Sequence, residues 1–464
     1  MTDTEHQPLH PQFRLLVFLV SIGFFMQGLD STIVNTALPY MAKSLNESPL
    51  DMHNVVVAYV LSVAACIPLS GWLADRYGLK KVFLAAIVIF TFASIGCGLS
   101  TGLNELIFYR VIQGIGGAFL LPVGRLAMLK AIPRPQFLAA MSLMSLAGLL
   151  GPLVGPVLGG WIVEITTWHW IFLINLPIGI VGALLTLKAM PQITEPSVRQ
   201  FDYLGFILLV FAMVGISLGV EQVSDKNTAL FWSIGLIIIG LIASLFYAFH
   251  AYSHPEALFR AKLFKNYSYT IGIIGNFFAR LGANSLPFLL PLMLQVGFGL
   301  DPLTTGLLMV PMVLGSLVSK PFIRPLIQKL GYRRVLLGNT IIVGAFIASF
   351  AFITAETPIW SQVIHFFIFG IFNSLQFVTM NTYTLKDLPQ QDASSGNSFL
   401  SMIMMVSMSV GVALTGTLIN LFSDYFGQAQ IDTAFHLTLI VLGISNVITF
   451  LIFLKVDRDK IQSV

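Results

Sequence analysis

Apolar runs alternate with short polar loops along the whole chain. The runs have the length of about 20 residues that a helix needs to cross the hydrocarbon core of a bilayer. The pattern therefore predicts fourteen membrane-spanning helices, at 13–37, 54–74, 82–100, 105–128, 137–163, 168–189, 203–221, 229–251, 267–297, 303–322, 334–354, 360–384, 397–421 and 434–455. The fold class expected from this pattern is all-α and integral to the membrane.

Composition supports the membrane assignment and excludes several other classes. The chain has 464 residues, of which 56% are hydrophobic and 10% charged, with a mean hydropathy of +0.85. Soluble domains carry roughly 25% charged residues. A soluble enzyme, a disordered tail protein and a secreted disulfide scaffold are therefore disfavoured, and the lipid bilayer is the expected surroundings.

Charged and metal-binding residue types give no sign of other ligands. The net charge of +4 is small and forms no basic stripe, so no nucleic-acid partner is expected. Cys66 and Cys97 lie within apolar runs, and the eight histidines have no ligand-type spacing. We expect no metal, no cofactor and no obligate protein partner.

Basic residues in the loops predict the orientation. An even number of spans places both termini on one side. Of the 25 basic residues, 20 fall on that side, whereas the opposite loops carry only Lys43 and Lys226. Because basic residues accumulate in cytoplasmic loops, both termini are expected in the cytoplasm. The polar start of the chain also lacks the features of a signal peptide.

Two similar loops indicate an internal repeat. The loop 76–81 reads RYGLKK and the loop 329–334 reads KLGYRR, and they follow spans 2 and 10. This spacing predicts two six-helix bundles at 13–190 and 263–456. They are separated by a linker, 191–262, that holds two extra spans, and flanked by tails at 1–12 and 457–464. Duplicated six-helix halves are typical of secondary transporters.

Asp30 in span 1 is the first candidate functional residue. It shares a helical face with Gln27 and Asn35. A carboxylate far from water is disfavoured in its charged form, so it can bind and release a proton. Two interpretations stay open: proton or cation binding, and permanent pairing with an arginine.

Arg110 in span 4 lies at a depth compatible with Asp30. An Asp30–Arg110 pair that opens and closes with protonation is one hypothesis, and a purely structural tie between two helices is the other. Gln113 follows at a spacing of three residues and therefore lies on the same face.

Spans 9 and 12 each carry a polar stripe. Asn276, Arg280 and Asn284 are spaced by four in span 9, and Asn373 and Gln376 lie together in span 12. Buried polar groups need partners. The stripes indicate either a shared wet cavity that binds amphipathic organic compounds or ordinary hydrogen bonds between helices.

Two further motifs indicate moving parts. Arg125 and Asp75 lie near the inner ends of spans 4 and 2, where a salt bridge between them would act as a cytoplasmic latch. Span 5 contains GLLGPLVGPVLGG, which provides a flat face for close packing and two proline bends. Its candidate pivot residues are Gly151, Pro152, Gly155 and Pro156.

Several motifs together resemble the major facilitator superfamily, and in particular its fourteen-span drug:proton antiporter branch. GWLADRYGLKK (71–81) resembles the signature loop after the second helix and contains Gly71, Asp75, Arg76, Gly78 and Lys80. RVIQGIGGA (110–118) resembles the fourth-helix motif, and the span 5 run resembles the antiporter motif. LDSTIVNTALP, WHWIFLINLPIG and FDYLG are similar to motifs of the fourteen-span branch.

The resemblance implies a major facilitator fold in a bacterial inner membrane, with spans 1, 4, 9 and 12 lining a central cavity. It implies a proton-coupled antiporter that exports small amphipathic compounds by alternating access, with Asp30 as the coupling carboxylate and Arg110 as its partner. The second-half loop has Gln328 where the first has Asp75, so a complete latch is not expected there.

Other functions remain as alternatives. A narrow-specificity metabolite exporter and an uptake symporter would share the same fold. A membrane sensor without transport is a remote alternative. An enzyme is not expected, because the sequence lacks a nucleotide-binding loop and clustered catalytic groups.

Overall fold

A computed structural model describes residues 9–194, 200–224, 230–254, 256–427 and 430–457. Within these ranges the ordered structure consists of helices, as the hydropathy pattern predicts. Most of the two predicted tails, and the basic residues Arg199 and Lys226, lie outside the described ranges.

Eight helices lie within the described residues 9–194. They are α1 (Pro11–Leu45), α2 (His53–Cys66), α3 (Leu69–Tyr77), α4 (Leu79–Leu99), α5 (Leu103–Ala131), α6 (Arg134–Ile165), α7 (Trp170–Leu173) and α8 (Asn175–Ala189).

Nine α-helices follow in the ranges that the structure describes between residues 200 and 457. They are α9 (Tyr203–Glu221), α10 (Leu230–Ser253), α11 (Tyr267–Ala283), α12 (Leu286–Leu292), α13 (Pro302–Ser349), α14 (Ile359–Leu385), α15 (Gln390–Phe426), α16 (Ile431–Ile448) and α17 (Phe450–Phe453). Short 3₁₀ segments lie at Gln222–Ser224, Ala261–Lys265 and Phe350–Phe352, and Met293–Gly297 is a π-helical turn.

Twelve helices in the described ranges are long and apolar enough to cross a membrane, or thirteen when the bent pair α2–α3 counts as one span. One of the twelve, Pro302–Phe352, has 51 residues. At 1.5 Å per residue it is about 75 Å long, more than twice the thickness of the hydrocarbon core. Its backbone leaves the helical region at Gly331, inside the KLGYRR sequence.

The bend between α2 and α3 has a local cause. The two helices meet at 55° across the break at Ile67 and Pro68. Proline lacks the backbone N–H that a continuous helix requires, and its ring clashes with the preceding turn. The stretch predicted as one span at 54–74 is therefore a broken helix.

Side-chain caps fix where three helices of the second half of the chain begin. Asp202, Asn266 and Asp301 each accept a hydrogen bond from the backbone N–H three residues ahead, at the starts of α9, α11 and α13. These bonds satisfy amides that have no partner within the helix. The bond from Thr304 N–H lowers the pKa of the Asp301 carboxyl, because it stabilises the charged form.

Contacts divide the chain into two compact units. The first comprises Met1–Glu47 and Asn54–Phe201, and the second comprises Ser48–His53 and Asp202–Val464. The helices α9 and α10, which fill the predicted linker, belong to the second unit. In that unit a buried cluster of Ile271, Leu336, Tyr383 and Phe453 joins α11, α13, α14 and α17.

The two repeated loops share a backbone conformation. Gly78, between α3 and α4, has φ 90° and ψ 147°, and Gly331 has φ 76° and ψ 159°. Positive φ is unfavourable for residues with a Cβ, which explains a glycine at both positions.

Candidate functional site

Asp30 forms a fully buried ion pair in the first unit. It lies on α1, and its Oδ2 is 2.6 Å from Nη1 of Arg110 on α5. The two side chains are 0% and 1% exposed, respectively. The structure thus brings together the two residues that the sequence singled out as a pair. A buried pair of this kind is stable only when further hydrogen bonds satisfy its remaining polar atoms.

Gln113 supplies several of those bonds. Its Nε2 donates to Asp30 Oδ1 at 2.8 Å and to Ser94 Oγ at 2.7 Å, and its Oε1 accepts from Arg110 Nη1 at 2.7 Å. Gln113 therefore bridges the carboxylate and the guanidinium. The Sγ of Cys97 lies 3.8 Å from the same Oε1.

Residues from α2 and α8 complete the network. Asn175 Nδ2 donates to Asp30 Oδ1 and to Ser94 Oγ, both at 3.3 Å. Arg110 Nε donates to the carbonyl of Val55 at 3.2 Å, and the guanidinium carbon lies 4.2 Å from the ring centroid of Tyr59. The site thus draws on α1, α2, α4, α5 and α8 of the first unit.

The sequence did not single out Ser94, Asn175 or Tyr59. Serine, asparagine and tyrosine are ordinary within spans, and their role here depends on which helices are neighbours. Asn175 belongs to the WHWIFLINLPIG sequence. The resemblance identified this sequence as a motif but gave no residue in it a chemical role.

Two neighbours of Asp30 on α1 offer acceptor atoms. Gln27 Oε1 and Asn35 Oδ1 are buried and have no hydrogen-bond partner among the described residues. Asn35 Nδ2 donates to the carbonyl of Ser31. Both side chains have unused hydrogen-bonding capacity on α1.

Arg280 is the centre of a second buried cluster, in the second unit. Its Nε donates to Asn276 Oδ1 at 2.9 Å, and its Nη2 donates to Asn381 Oδ1 at 3.1 Å. The guanidinium carbon lies 4.1 Å from the ring centroid of Phe377. Asn276 also donates to Thr384 Oγ1 at 3.0 Å. These partners are neutral, so the positive charge is available to an anionic group.

The remaining polar residues of the predicted stripes lie apart from this cluster. Gln376 is buried and bonds to α13, where its Oε1 accepts from Asn339 Nδ2 and its Nε2 donates to Thr340 Oγ1, both at 2.7 Å. Asn284 and Asn373 are half-buried. The structure therefore groups Asn276 with Arg280 and gives Gln376 a separate set of partners.

The prediction of a salt bridge between Asp75 and Arg125 is wrong. Asp75 Oδ1 pairs instead with Lys130 Nζ at 3.2 Å. Lys130 lies in the last turn of α5, and both side chains of the pair are partly exposed, so the pair keeps part of its hydration. Arg125 is one and a half turns deeper in the same helix, and its buried Nε has no hydrogen-bond partner among the described residues.

Other residues of the signature loop have separate contacts. Lys80 Nζ donates to the carbonyl of Leu187 at 2.6 Å, and Arg76 is exposed. A Cβ at Gly71 would meet no atom within 4 Å, whereas one at Gly78 would collide with Gln192. Within the motif, Gly78 is the glycine that the local packing requires.

The glycines of α6 lie against α1. A Cβ on Gly151 would come within 2.6 Å of the backbone nitrogen of Leu29, and one on Gly155 would collide with Thr32 Oγ1. Thr36 Oγ1 donates to the carbonyl of Pro156 at 3.2 Å. The seam between α1 and α6 is thus a backbone-to-backbone contact directly beside Asp30.

The FDYLG sequence has a structural role at the start of α9. Asp202 Oδ1 accepts from Gly205 N–H and from His250 Nε2, both at 2.8 Å, and its Oδ2 accepts from Leu258 N–H at 3.1 Å. This carboxylate joins the start of α9 to the end of α10 and to the segment that follows.

An apolar cavity of about 410 Å³ lies between α1 and α6 in the first unit. Its lining includes Phe18, Phe25, Leu143 and Leu146, with Arg14 as its only charged residue. A cavity of this size and character fits a small organic compound.

Comparison with known proteins places these features in a family. The family model described as Major Facilitator Superfamily matches residues 20–202 and 272–463, which is most of the chain. The chain belongs to the major facilitator superfamily. It is accordingly a transporter of small molecules and not an enzyme.

Curated relatives match over nearly the full length. A protein of Escherichia coli O6:H1 named "Putative multidrug resistance protein MdtD" is 45% identical over 456 residues, which cover 97% of this chain and 96% of the relative. Proteins of the same name from Shigella boydii serotype 18 and Escherichia fergusonii match with the same identity and coverage. The spans and these bacterial relatives make the chain a multi-pass inner membrane protein.

Solved structures share the fold. The POT family transporter PepTSo superposes with a TM-score of 0.71 at 13% identity and covers 96% of this chain and 98% of its own. A mutant of the nucleoside transporter NupG superposes with a TM-score of 0.67 at 14% identity. The match covers 95% of this chain and 99% of the NupG chain. At these identities the likeness concerns the fold alone.

Proposed function

We propose that the protein is a proton-coupled antiporter that exports small amphipathic organic compounds by alternating access. The observation that carries this proposal is the fully buried Asp30–Arg110 pair with its bridging Gln113. The multidrug name of the relatives supports the breadth of the substrate class.

The coupling step uses the hydrogen bonds around Asp30. In its charged form the carboxylate accepts bonds from Arg110, Gln113 and Asn175. A proton arriving at Asp30 removes the negative charge and leaves the buried guanidinium without its counter-charge. Breaking a buried ion pair in this way disfavours the existing arrangement by about 3–5 kcal/mol.

That energy can shift the balance between conformations. The pair and its partners connect five helices, so a new position for Arg110 requires a new packing of α1, α5 or α8. A transporter couples two ligands when each binds one conformation better than the other. Protonation from outside would favour one state, and substrate binding from inside the other.

Substrate would contact the remaining polar residues. The free acceptors of Gln27 and Asn35 suit a donor group, and the Arg280 cluster suits an anionic or aromatic one. The residues that we propose to line the substrate cavity are Gln27, Asn35, Gln113, Asn276, Arg280, Asn284, Asn373 and Gln376. Asp75, Arg125 and the α6 glycines would take part in the change of conformation.

The proposed topology has fourteen crossings with both termini in the cytoplasm. Its support is the 20-to-2 distribution of basic residues and the division of the 51-residue helix at Gly331. Two six-helix halves, 13–190 and 263–456, would flank the inserted pair α9–α10.

The test is transport by Asp30→Asn in proteoliposomes with an imposed pH gradient. We expect the variant to fold but to lose gradient-driven transport, because it cannot exchange a proton at that position. Glu47→Gln is the matched control, since it makes the same chemical change at an exposed carboxylate and should leave transport unchanged. A panel of anionic, neutral and cationic compounds covers the substrate class.

Three results would contradict the proposal. Gradient-driven flux by Asp30→Asn at the wild-type rate would remove Asp30 from the mechanism. Flux that follows the proton inward would indicate an uptake symporter. Transport of a single compound from the whole panel would indicate a narrow-specificity exporter.

A further inference from the structure

A second cavity lies inside the second unit, between the inserted helices α9 and α10 and the helices α11 and α15. Its volume is about 500 Å³, and its lining includes Leu209, Met213, Ala248, Phe264, Phe277 and Met402. Ala248 is exposed, so the cavity opens to the surface of the molecule. Ligand sites in proteins usually have volumes of about 300–1,000 Å³.

The wall of this cavity offers almost no free hydrogen-bonding group. The Ser244 hydroxyl donates to the carbonyl of Gly240 at 2.8 Å. The Tyr247 hydroxyl donates to the carbonyl of Phe259 at 3.2 Å and accepts from Phe259 N–H at 2.9 Å. The interior therefore suits a hydrocarbon rather than a polar compound.

One end of the cavity carries positive charge. The 3₁₀ segment Ala261–Lys265 contributes Ala261 and Phe264 to the lining. The residues beside these two along the chain, Arg260, Lys262 and Lys265, are exposed cations. Lys262 Nζ lies 4.0 Å from Asp392 Oδ2, a loose contact that leaves it open to another anion.

Another carboxylate at this end is directed toward groups other than these three cations. Asp202 lies at the same end of α9 and α10, and its two oxygens already accept bonds from His250, Gly205 and Leu258. The rim is thus cationic over a hydrocarbon-lined interior. Basic sites between transmembrane helices on the cytoplasmic side suit anionic lipid head groups.

We propose that this cavity binds an anionic phospholipid. One acyl chain lies between α9, α10 and α15, and the phosphate contacts Arg260, Lys262 and Lys265. The lipid fills the space between the inserted helices and the rest of the unit, and so fixes α9 and α10 in place. This inference is independent of the proposed export activity.

The test measures lipid binding to the purified full-length chain in detergent. Native mass spectrometry and the melting temperature are followed while phosphatidylglycerol or phosphatidylcholine with the same acyl chains is added. We expect saturable retention of phosphatidylglycerol with a higher melting temperature, and at least about tenfold weaker retention of phosphatidylcholine.

Two variants separate the contribution of the lipid head group from that of its acyl chain. The triple change Arg260→Gln, Lys262→Gln and Lys265→Gln alters exposed side chains only, and should abolish the preference for phosphatidylglycerol. Ala248→Phe fills the cavity from its open side and should reduce retention of both lipids. The control is Lys329→Gln, Arg333→Gln and Arg334→Gln, which removes three cations whose neighbours along the chain do not line the cavity.

Several outcomes would overturn the proposal. Equal retention of the two lipids by the wild type would remove the role of the cations. Equal losses of phosphatidylglycerol retention in the two triple variants would also remove that role, because they would indicate a general effect of surface charge. Unchanged retention by Ala248→Phe, or displacement of the lipid by a transported compound, would remove the cavity as the lipid site. Because Asp30 is intact throughout, failure here leaves the proton-coupled function untouched.

Discussion

At the scale of single residues, Gln113 is the side chain that bridges the two members of the buried pair. It donates to Asp30, accepts from Arg110, and is fixed by Ser94. A hydrogen bond to a charged group contributes about 1.5–3 kcal/mol. The carboxylate of Asp30 therefore depends on a neutral neighbour as well as on its counter-ion.

Gln113→Leu should change the pH dependence of transport. Without the donor, the carboxylate of Asp30 loses one of its hydrogen bonds, and a bond of this kind contributes about 1.5–3 kcal/mol. We expect the pH profile of transport to differ from that of the wild type. The measurement is the initial rate in proteoliposomes across a series of pH values.

Cys97→Ala is the control for this prediction. Its thiol touches Gln113 Oε1 but does not contact Asp30, so the pH profile should remain that of the wild type. An unshifted profile for Gln113→Leu would mean that Gln113 serves packing alone.

The sequence identified the centre of this site but not its periphery. Asp30 and Arg110 stand out because charges within spans are rare. Ser94 and Asn175 do not, since neutral polar side chains acquire a role only through neighbours on other helices. The sequence also missed the pairing of Asp75 with Lys130. It gives the depth of a residue along its helix, but it does not show which of two cations at one end of the helix lies nearest to the carboxylate.

At the scale of elements, the contact between α1 and α6 links the Asp30–Arg110 pair to a glycine-rich helix. The backbones approach closely at Gly151, and Thr36 bonds to the carbonyl of Pro156. The sequence predicted a flat packing face for this helix but could not say which helix it meets. That partner is the helix that carries Asp30.

Gly151→Ala should loosen this contact. The new methyl group would lie 2.6 Å from the Leu29 nitrogen, so α1 and α6 must separate. Overpacking of this kind destabilises by about 1–3 kcal/mol. We expect a lower melting temperature in detergent and slower transport.

Gly235→Ala provides the comparison. Gly235 lies in α10, where a Cβ would meet no atom within 4 Å, so its melting temperature should equal or exceed that of the wild type. Equal melting temperatures for Gly151→Ala and Gly235→Ala would argue against a tight seam.

At the scale of the whole molecule, the hydropathy pattern predicted the helical class and most span boundaries. It could not predict the break at Pro68, because a break within an apolar run depends on how backbone hydrogen bonds pass through a short connection. Gly78 and Gly331, in the two similar loops, share a positive φ.

Single cysteines in a background without Cys66 and Cys97 test the fourteen-span topology. A membrane-impermeant maleimide added to intact cells should label Lys43→Cys and Lys226→Cys but not Lys81→Cys, Lys262→Cys or Lys329→Cys. This pattern follows from the distribution of basic residues.

Permeabilised cells give the reference for full labelling. Protection of Lys226→Cys in intact cells would mean that α9 and α10 do not both cross the membrane. Labelling of Lys329→Cys from outside would contradict the cytoplasmic placement of the loop at 329–334.

The thiol of Cys97 has a practical consequence. It is fully buried, yet it touches the amide that bridges Asp30 and Arg110. A sulfhydryl in that place stays unreactive while the pocket is dry and becomes reactive when solvent enters. We therefore expect the reactivity of Cys97 to report the entry of solvent beside Asp30, with the half-buried Cys66 as an internal standard in the same molecule.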